Sequence, residues 1–240
     1  MSERPAAALL PLPSSGRRFV AERTVRLGDV DPAGLLRLDA LARYLQDVAS
    51  DDALDAGLPN AMGWVVRRTM MRVVRACSLN ERVQMTTFCT GAGRSWAERR
   101  TSIARGGVAA VEAVSLWVQI DVETGRPAKL GPDFFAIYGE AARERVVSSK
   151  LSLPSASSTG EIATWHFRRT DLDPFDHVNN AAQWAVLESL LAGRDRHGIA
   201  ELEYLAPVGI DEVDLVSDGD SAWLVADGRT LTAMAWTPSA

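Results

Sequence analysis

Asp171-Leu172-Asp173-Pro174-Phe175-Asp176-His177-Val178-Asn179-Asn180 decides the fold, because its first four residues have a counterpart far upstream in Asp29-Val30-Asp31-Pro32. At the same offset, Val25-Arg26 stands opposite Phe167-Arg168 and Leu36 opposite Val178. In both copies the motif follows a strand-like segment and precedes a helix-like one. A repeat decides architecture before any single element does, since each copy must build the same supersecondary unit.

Working outward from the first copy, Leu38, Leu41, Ala42, Leu45, Val48 and Ala49 recur at spacings of three and four. That pattern predicts a helix with one apolar stripe, N-capped by Asp39 and stopped at Gly57. After the second copy, Ala181, Trp184, Val186, Leu187, Leu190 and Leu191 predict another helix, ending near Gly193. Strand-like segments follow each helix, at 64–74, 82–90, 96–104 and 108–121 and again, shorter, at 202–206, 212–217, 222–226 and 229–236. Gly106-Gly107 marks a hairpin. A single helix with an antiparallel sheet on one side must bury its stripe against that sheet. The expected class is therefore α+β, two tandem units, each a long central helix wrapped by an antiparallel sheet. The expected division is a flexible N-terminus at 1–16, a first unit at 17–147 with a helical segment from Pro132 to Val147, a serine-rich linker at 148–160, and a second unit at 161–240.

The composition supports two modest cores and narrows the function. With 240 residues and 47% hydrophobic content, the chain has enough apolar surface for two units. A net charge of -5 leaves no surplus of Lys and Arg for phosphate backbones, which argues against nucleic acid as a partner. No apolar run approaches the roughly 20 residues needed to span a bilayer. Met1 to Gly16 makes a poor export signal, its apolar stretch being interrupted by Pro11 and Pro13. Cys77 and Cys89 show neither metal-ligand spacing nor the density of a disulfide framework, so the sequence predicts a cytoplasmic protein with no metal. Nor is there a phosphate-binding glycine loop or a dinucleotide fingerprint, and no cofactor is expected.

The order of elements, with a D-x-D-P turn before each helix, resembles a tandem hot-dog fold. Asp173-Pro-Phe-Asp-His177-Val-Asn-Asn180 resembles the D-x-x-x-H-V-N-N signature of the acyl-ACP thioesterases. Trp64-Val-Val, Val114-Ser-Leu-Trp117-Val and the turn Asp121-Val-Glu-Thr-Gly-Arg-Pro127 are similar to matching segments of that family. Gly28-Asp-Val-Asp-Pro-Ala-Gly34 is also similar to the turn of hydroxybenzoyl-CoA-type thioesterases, whose catalytic carboxylate falls at Asp31 here. The resemblance implies hydrolysis of fatty acyl-ACP thioesters, with acyl-CoA hydrolysis, or acyl binding without turnover, as the alternatives.

Thioester hydrolysis needs a base or nucleophile and donors aimed at the developing oxyanion. The resemblance assigns these tasks to Asp173 and His177, with Asn179, Asn180, Asp176 and Asp31 as accessory candidates. Two positions depart from the family: Phe175 stands where plant-type members carry Asn, and Pro207-Val208 where the family has Glu-Cys. Trp64, Met70 and Met71 are candidates for the wall of an acyl pocket. Arg67, Arg68, Arg72, Arg75, Arg94, Arg99 and Arg100 form basic clusters suited to an acidic carrier protein or to pantetheine or CoA phosphates. The carrier is thus ACP or CoA, and the protein a monomer or homodimer.

Overall fold

The computed structural model describes residues 9–58, 63–210 and 212–239, so the expected N-terminal segment lies partly outside the described residues. The first half runs β1 (Phe19–Thr24), α1 (Leu38–Asp55), β2 (Trp64–Val73), β3 (Arg82–Ala92), β4 (Trp96–Arg105), β5 (Val108–Gln119) and α2 (Pro132–Ala142). The second runs β6 (Glu161–Trp165), α3 (Trp184–Leu190), β7 (Gly198–Tyr204), β8 (Val213–Asp218), β9 (Ser221–Ala226) and β10 (Arg229–Pro238). All ten strands join one sheet in the order β1-β3-β4-β5-β2-β7-β10-β9-β8-β6. This order is its own mirror image about the antiparallel β2–β7 pairing, which runs from Arg68 opposite Glu203 to Val73 opposite Gly198. The duplicated turn therefore belongs to a duplicated sheet, the α+β tandem hot-dog that the repeat predicts.

The apolar stripe of α1 is buried as its spacing requires, with Leu38, Leu41, Leu45 and Val48 all in the core. Burying each such side chain contributes roughly 1.5–3 kcal/mol. The helix stops where predicted, with Gly57 at φ 62° just past the Ala56 cap. Its start differs. Arg37 occupies the N-cap position, and Asp39 lies inside the first turn, bonded by Arg37 and Arg43. Burial pushes the Asp39 carboxyl up, but the two guanidiniums outweigh it and hold the group below the usual carboxylate range.

The second helix is much shorter than its apolar spacing predicts, with seven residues against eighteen in α1. Side chains compete for the backbone at its start: Asn179 Oδ1 accepts from Ala181 N (2.8 Å), and the buried Gln183 donates to Val178 O (3.3 Å) while accepting from Thr232 Oγ1 (2.6 Å). Such local bonds give the chain an alternative to helix.

The serine-rich linker is tied down along its course. Both oxygens of Glu203, 1% exposed, accept from its backbone, at Ser152 N (2.6 Å) and Leu153 N (2.9 Å). Trp223 Nε1 donates to Pro154 O at 2.8 Å, and Leu153 and Ala156 pack on Val216, Trp223 and Ala233. In the first half, α2 lays Phe134 and Tyr138 over Cys89, Ala92 and Ala97, with the Trp64 ring 5.6 Å from Phe134.

Candidate active site

The two copies of the D-x-D-P turn fold alike down to individual hydrogen bonds. Asp31 N donates to Leu35 O (2.9 Å), and Asp31 Oδ1 accepts from Ala33 N and Leu35 N, both at 2.9 Å. Asp173 N likewise donates to His177 O (2.8 Å), and Asp173 Oδ1 accepts from Phe175 N (2.9 Å) and His177 N (3.3 Å). Each turn requires one left-handed residue, which the first copy supplies as Gly34 (φ 78°) and the second as Asp176 (φ 60°). Asp176 is exposed, and its φ explains its presence.

The copies diverge at the second carboxylate oxygen. Asp31 Oδ2 is bound by Arg196 Nη2 at 2.8 Å, and Arg196 also donates to Glu188 of α3 at 2.9 Å. Glu188 in turn accepts from Leu38 N, the first free N–H of α1, at 2.9 Å. The first copy is thus closed by Arg196 and Glu188 of the second half, and Asp31 is part of a partly buried ion cluster. Asp173 Oδ2 has no partner among the described residues.

The helix start that follows Asp173 is open in the same sense. Asn180 stands where the first copy has Leu38, and among the described residues its N–H has no acceptor. The position of Glu188 is taken by Gln46 of α1, whose amide is also unbonded among those residues. Both residues face a void of about 10 Å³, along with Thr69, Trp117, Trp184 and Tyr204. A relay fixes this corner: Trp184 Nε1 donates to Tyr204 Oη (2.7 Å), which donates to Asn180 O (3.2 Å). Burial pushes the Tyr204 phenol up, so it remains a neutral donor.

Gln46 and Trp117 also line a neighbouring cavity of about 210 Å³ enclosed by α1, α2 and the first-half strands. Its walls include Ala49, Ala53, Leu58, Trp64, Phe134 and Phe175. Phe175, 56% exposed, brings the turn that holds Asp173 and His177 to the rim of this cavity. A larger hollow in the second half, about 390 Å³, carries Glu161, Arg194, Asp218 and Asp220 on its lining, a poor environment for an acyl chain. Cys89 lies on the 210 Å³ cavity, but burial pushes its thiol up to about 11, so it is no thiolate at neutral pH.

Of the residues singled out in the sequence, Asp173 and His177 share one turn through backbone contacts, and Asn180, three residues on, lines the small void; neither Asp173 nor His177 lines that void or the 210 Å³ cavity. The His177 imidazole is exposed and has no hydrogen-bond partner among the described residues. Asn179 organises the helix start. Trp64 lines the cavity, whereas Met70 does not and Met71 is fully buried in the main core. Two of the clustered arginines are unavailable to an acidic carrier: Arg99 pairs with Asp52 (2.6 Å), and the buried Arg100 with Glu112 (2.7 Å). Gln46 and the Arg196 lock have no local motif to announce them. Extending the alignment of the two copies pairs Leu38 with Asn180, Gln46 with Glu188 and Leu54 with Arg196, and that contrast is the signal that finds Gln46 and the lock.

Comparison with known proteins agrees with this fold. Residues 16–138 match the family model of the acyl-ACP thioesterase N-terminal domain. The fold is similar to that of a 12:0-ACP thioesterase from Umbellularia californica (TM-score 0.74, 22% identity, covering 92% of this chain and 98% of that one). It is also similar to an acyl-ACP thioesterase from Bacteroides thetaiotaomicron (TM-score 0.76, 20% identity, 91% and 96% covered). In sequence, an uncharacterized protein of Mycobacterium tuberculosis is 28% identical over 185 residues, which is 77% of this chain and 74% of that protein.

Proposed function

The chain belongs to the acyl-ACP thioesterase family, and from that membership we propose that it hydrolyses fatty acyl thioesters at the second-copy turn, with Asp173 and His177 as the polar pair. One observation carries the assignment: of two turns with the same hydrogen bonds, the first has its carboxylate Oδ2 quenched by Arg196, and the second leaves it free. In this reading the acyl chain lies in the 210 Å³ cavity. The thioester oxygen sits at the Asn180 N–H and the Gln46 amide, where negative charge develops during attack. Asp173 Oδ2 takes a proton from water as its oxygen attacks the carbonyl carbon. The carbon–sulfur bond then breaks, and His177, at the exposed rim, protonates the leaving thiolate.

Asp173→Asn tests the proposal cleanly, because it keeps an Oδ1 acceptor for the turn and removes the charge. We expect kcat/KM on acyl-ACP to fall by about 100-fold or more, a usual range for losing a general base, with Tm nearly unchanged. His177→Ala should fall as well, and Asp31→Asn should not. Full turnover in both Asp173→Asn and His177→Ala would refute the site.

We further propose ACP as the carrier, following the family; kcat/KM for one acyl group on ACP and on CoA decides it. Two free buried cysteines support a reducing, cytoplasmic setting. Because one chain holds both halves of the site, a monomer suffices, which light scattering would check.

A further inference from the structure

If the reading above places the acyl group correctly, the wall of its cavity has more hydrogen-bonding capacity than an alkyl chain can use. Arg99 of β4 lines the cavity. Its Nη1 donates to Asp52 Oδ2 (2.6 Å) and Thr87 Oγ1 (3.2 Å), while Nε and Nη2 donate to no group of the described residues. The guanidinium is held firmly. Asp52, 1% exposed, also accepts from Tyr138 Oη (3.1 Å) and Arg17 Nε (2.7 Å), and Arg99 lies 5.4 Å from the Tyr138 ring centroid. On the α1 wall, one helical turn apart, the half-buried Gln46 amide and the exposed Ser50 hydroxyl have no partner among the described residues, and the indole N–H groups of Trp64 and Trp117 are buried and unpaired.

A saturated chain lying against Arg99 would strip water from a charged donor edge and return no bond. An oxygen at that place would restore it. We propose that the acyl group this protein selects carries a hydrogen-bond-accepting oxygen, as hydroxyl, oxo or carboxylate, at its far end, and that Arg99 Nε and Nη2 receive it. An apolar cavity of about 150 Å³ accommodates a six-carbon ring, so 210 Å³ suits a chain of about six to eight heavy atoms. In the competing account, Arg99 and Asp52 form a structural ion pair that merely closes the wall, and oxygen confers no advantage.

The test uses three matched acyl groups, hexanoyl, 6-hydroxyhexanoyl and 5-carboxypentanoyl, each as a pantetheine amide and as the thioester. Binding of the amides is followed by tryptophan fluorescence, since Trp64 and Trp117 face the cavity. At least one oxygenated amide should bind about tenfold or more tightly than hexanoyl, the gain of one hydrogen bond to a charged group. Which of the two it is separates a neutral from an anionic terminus. Arg99→Met, combined with Asp52→Asn so that the buried carboxylate does not lose one of its two cations, should bring the ratio toward one. Arg99→Lys should retain part of it. Hexanoyl amide binding to the wild type as tightly as both oxygenated amides would overturn the proposal. Because the amides cannot be hydrolysed, a lack of thiol release from all three thioesters would count against the hydrolytic site, while the binding ratio would still decide the role of Arg99.

Discussion

Asp31 and Asp173 hold their turns through Oδ1 in the same way, and everything that separates them follows from what meets Oδ2. Arg196 keeps only 18% side-chain exposure between Asp31 and Glu188, so Arg196→Met strands two carboxylates in a partly dry site. We expect a loss of about 2–4 kcal/mol by urea denaturation, somewhat below the range for breaking a fully buried pair, with hydrolysis per folded molecule unchanged. Tyr204→Phe should act on the other copy. It leaves the buried Trp184 N–H unpaired, at about 1–3 kcal/mol, and releases the Asn180 carbonyl, so kcat should drop along with Tm. The turn that carries Asp173 and His177 could be read from the sequence because its motif is local. The contacts of Gln46 and Arg196 could not, since each comes from a distant part of the chain, in the other half.

At the scale of elements, the start of α1 is an acid-sensitive point. Burial pushes the carboxyls of Asp29 and Asp39 up, yet their partners outweigh it and hold both below the ordinary value: the Tyr44 hydroxyl, Arg26 N and Arg43 for Asp29, and Arg37 and Arg43 for Asp39. A carboxylate depressed on folding contributes its full stability above its unfolded pKa, about 3.9, and loses it as pH falls through the lower folded value. The urea midpoint should therefore fall steeply below about pH 4, and Asp39→Asn should lower the midpoint at pH 7 while flattening that acid limb. The linker offers a second test. Glu203→Ala removes both acceptors of the strap at Ser152 and Leu153, and limited trypsin cleavage after Lys150 should become much faster. The strands of both halves were legible because their alternation depends on burial of one face. The brevity of α3 was not, because Asn179 and Gln183 draw backbone groups away from a helix whose apolar spacing is intact. Nor could serine-rich composition reveal that a glutamate on β7 would fix the linker.

For the molecule as a whole, the β2–β7 pairing and a core shared by α1 and α3 make the halves one cooperative body. Near- and far-ultraviolet circular dichroism should report a single coincident thermal transition, and chain nicked in the linker should still elute as one particle. The sequence foretold this symmetry through two tetrapeptides, since a repeated turn before a repeated helix admits few arrangements of the sheet. It did not show how far the halves had diverged. Suppose two first halves paired as α1 pairs with α3 here. Gln46 would face Leu38 N–H, and Asp31 would have no cation. Two second halves would set Glu188, an anion, beside Asn180, where the proposed mechanism builds negative charge. Neither half can serve as its own mate, so the Arg196 lock makes each half depend on the other, and a change on one side of it calls for a change on the other.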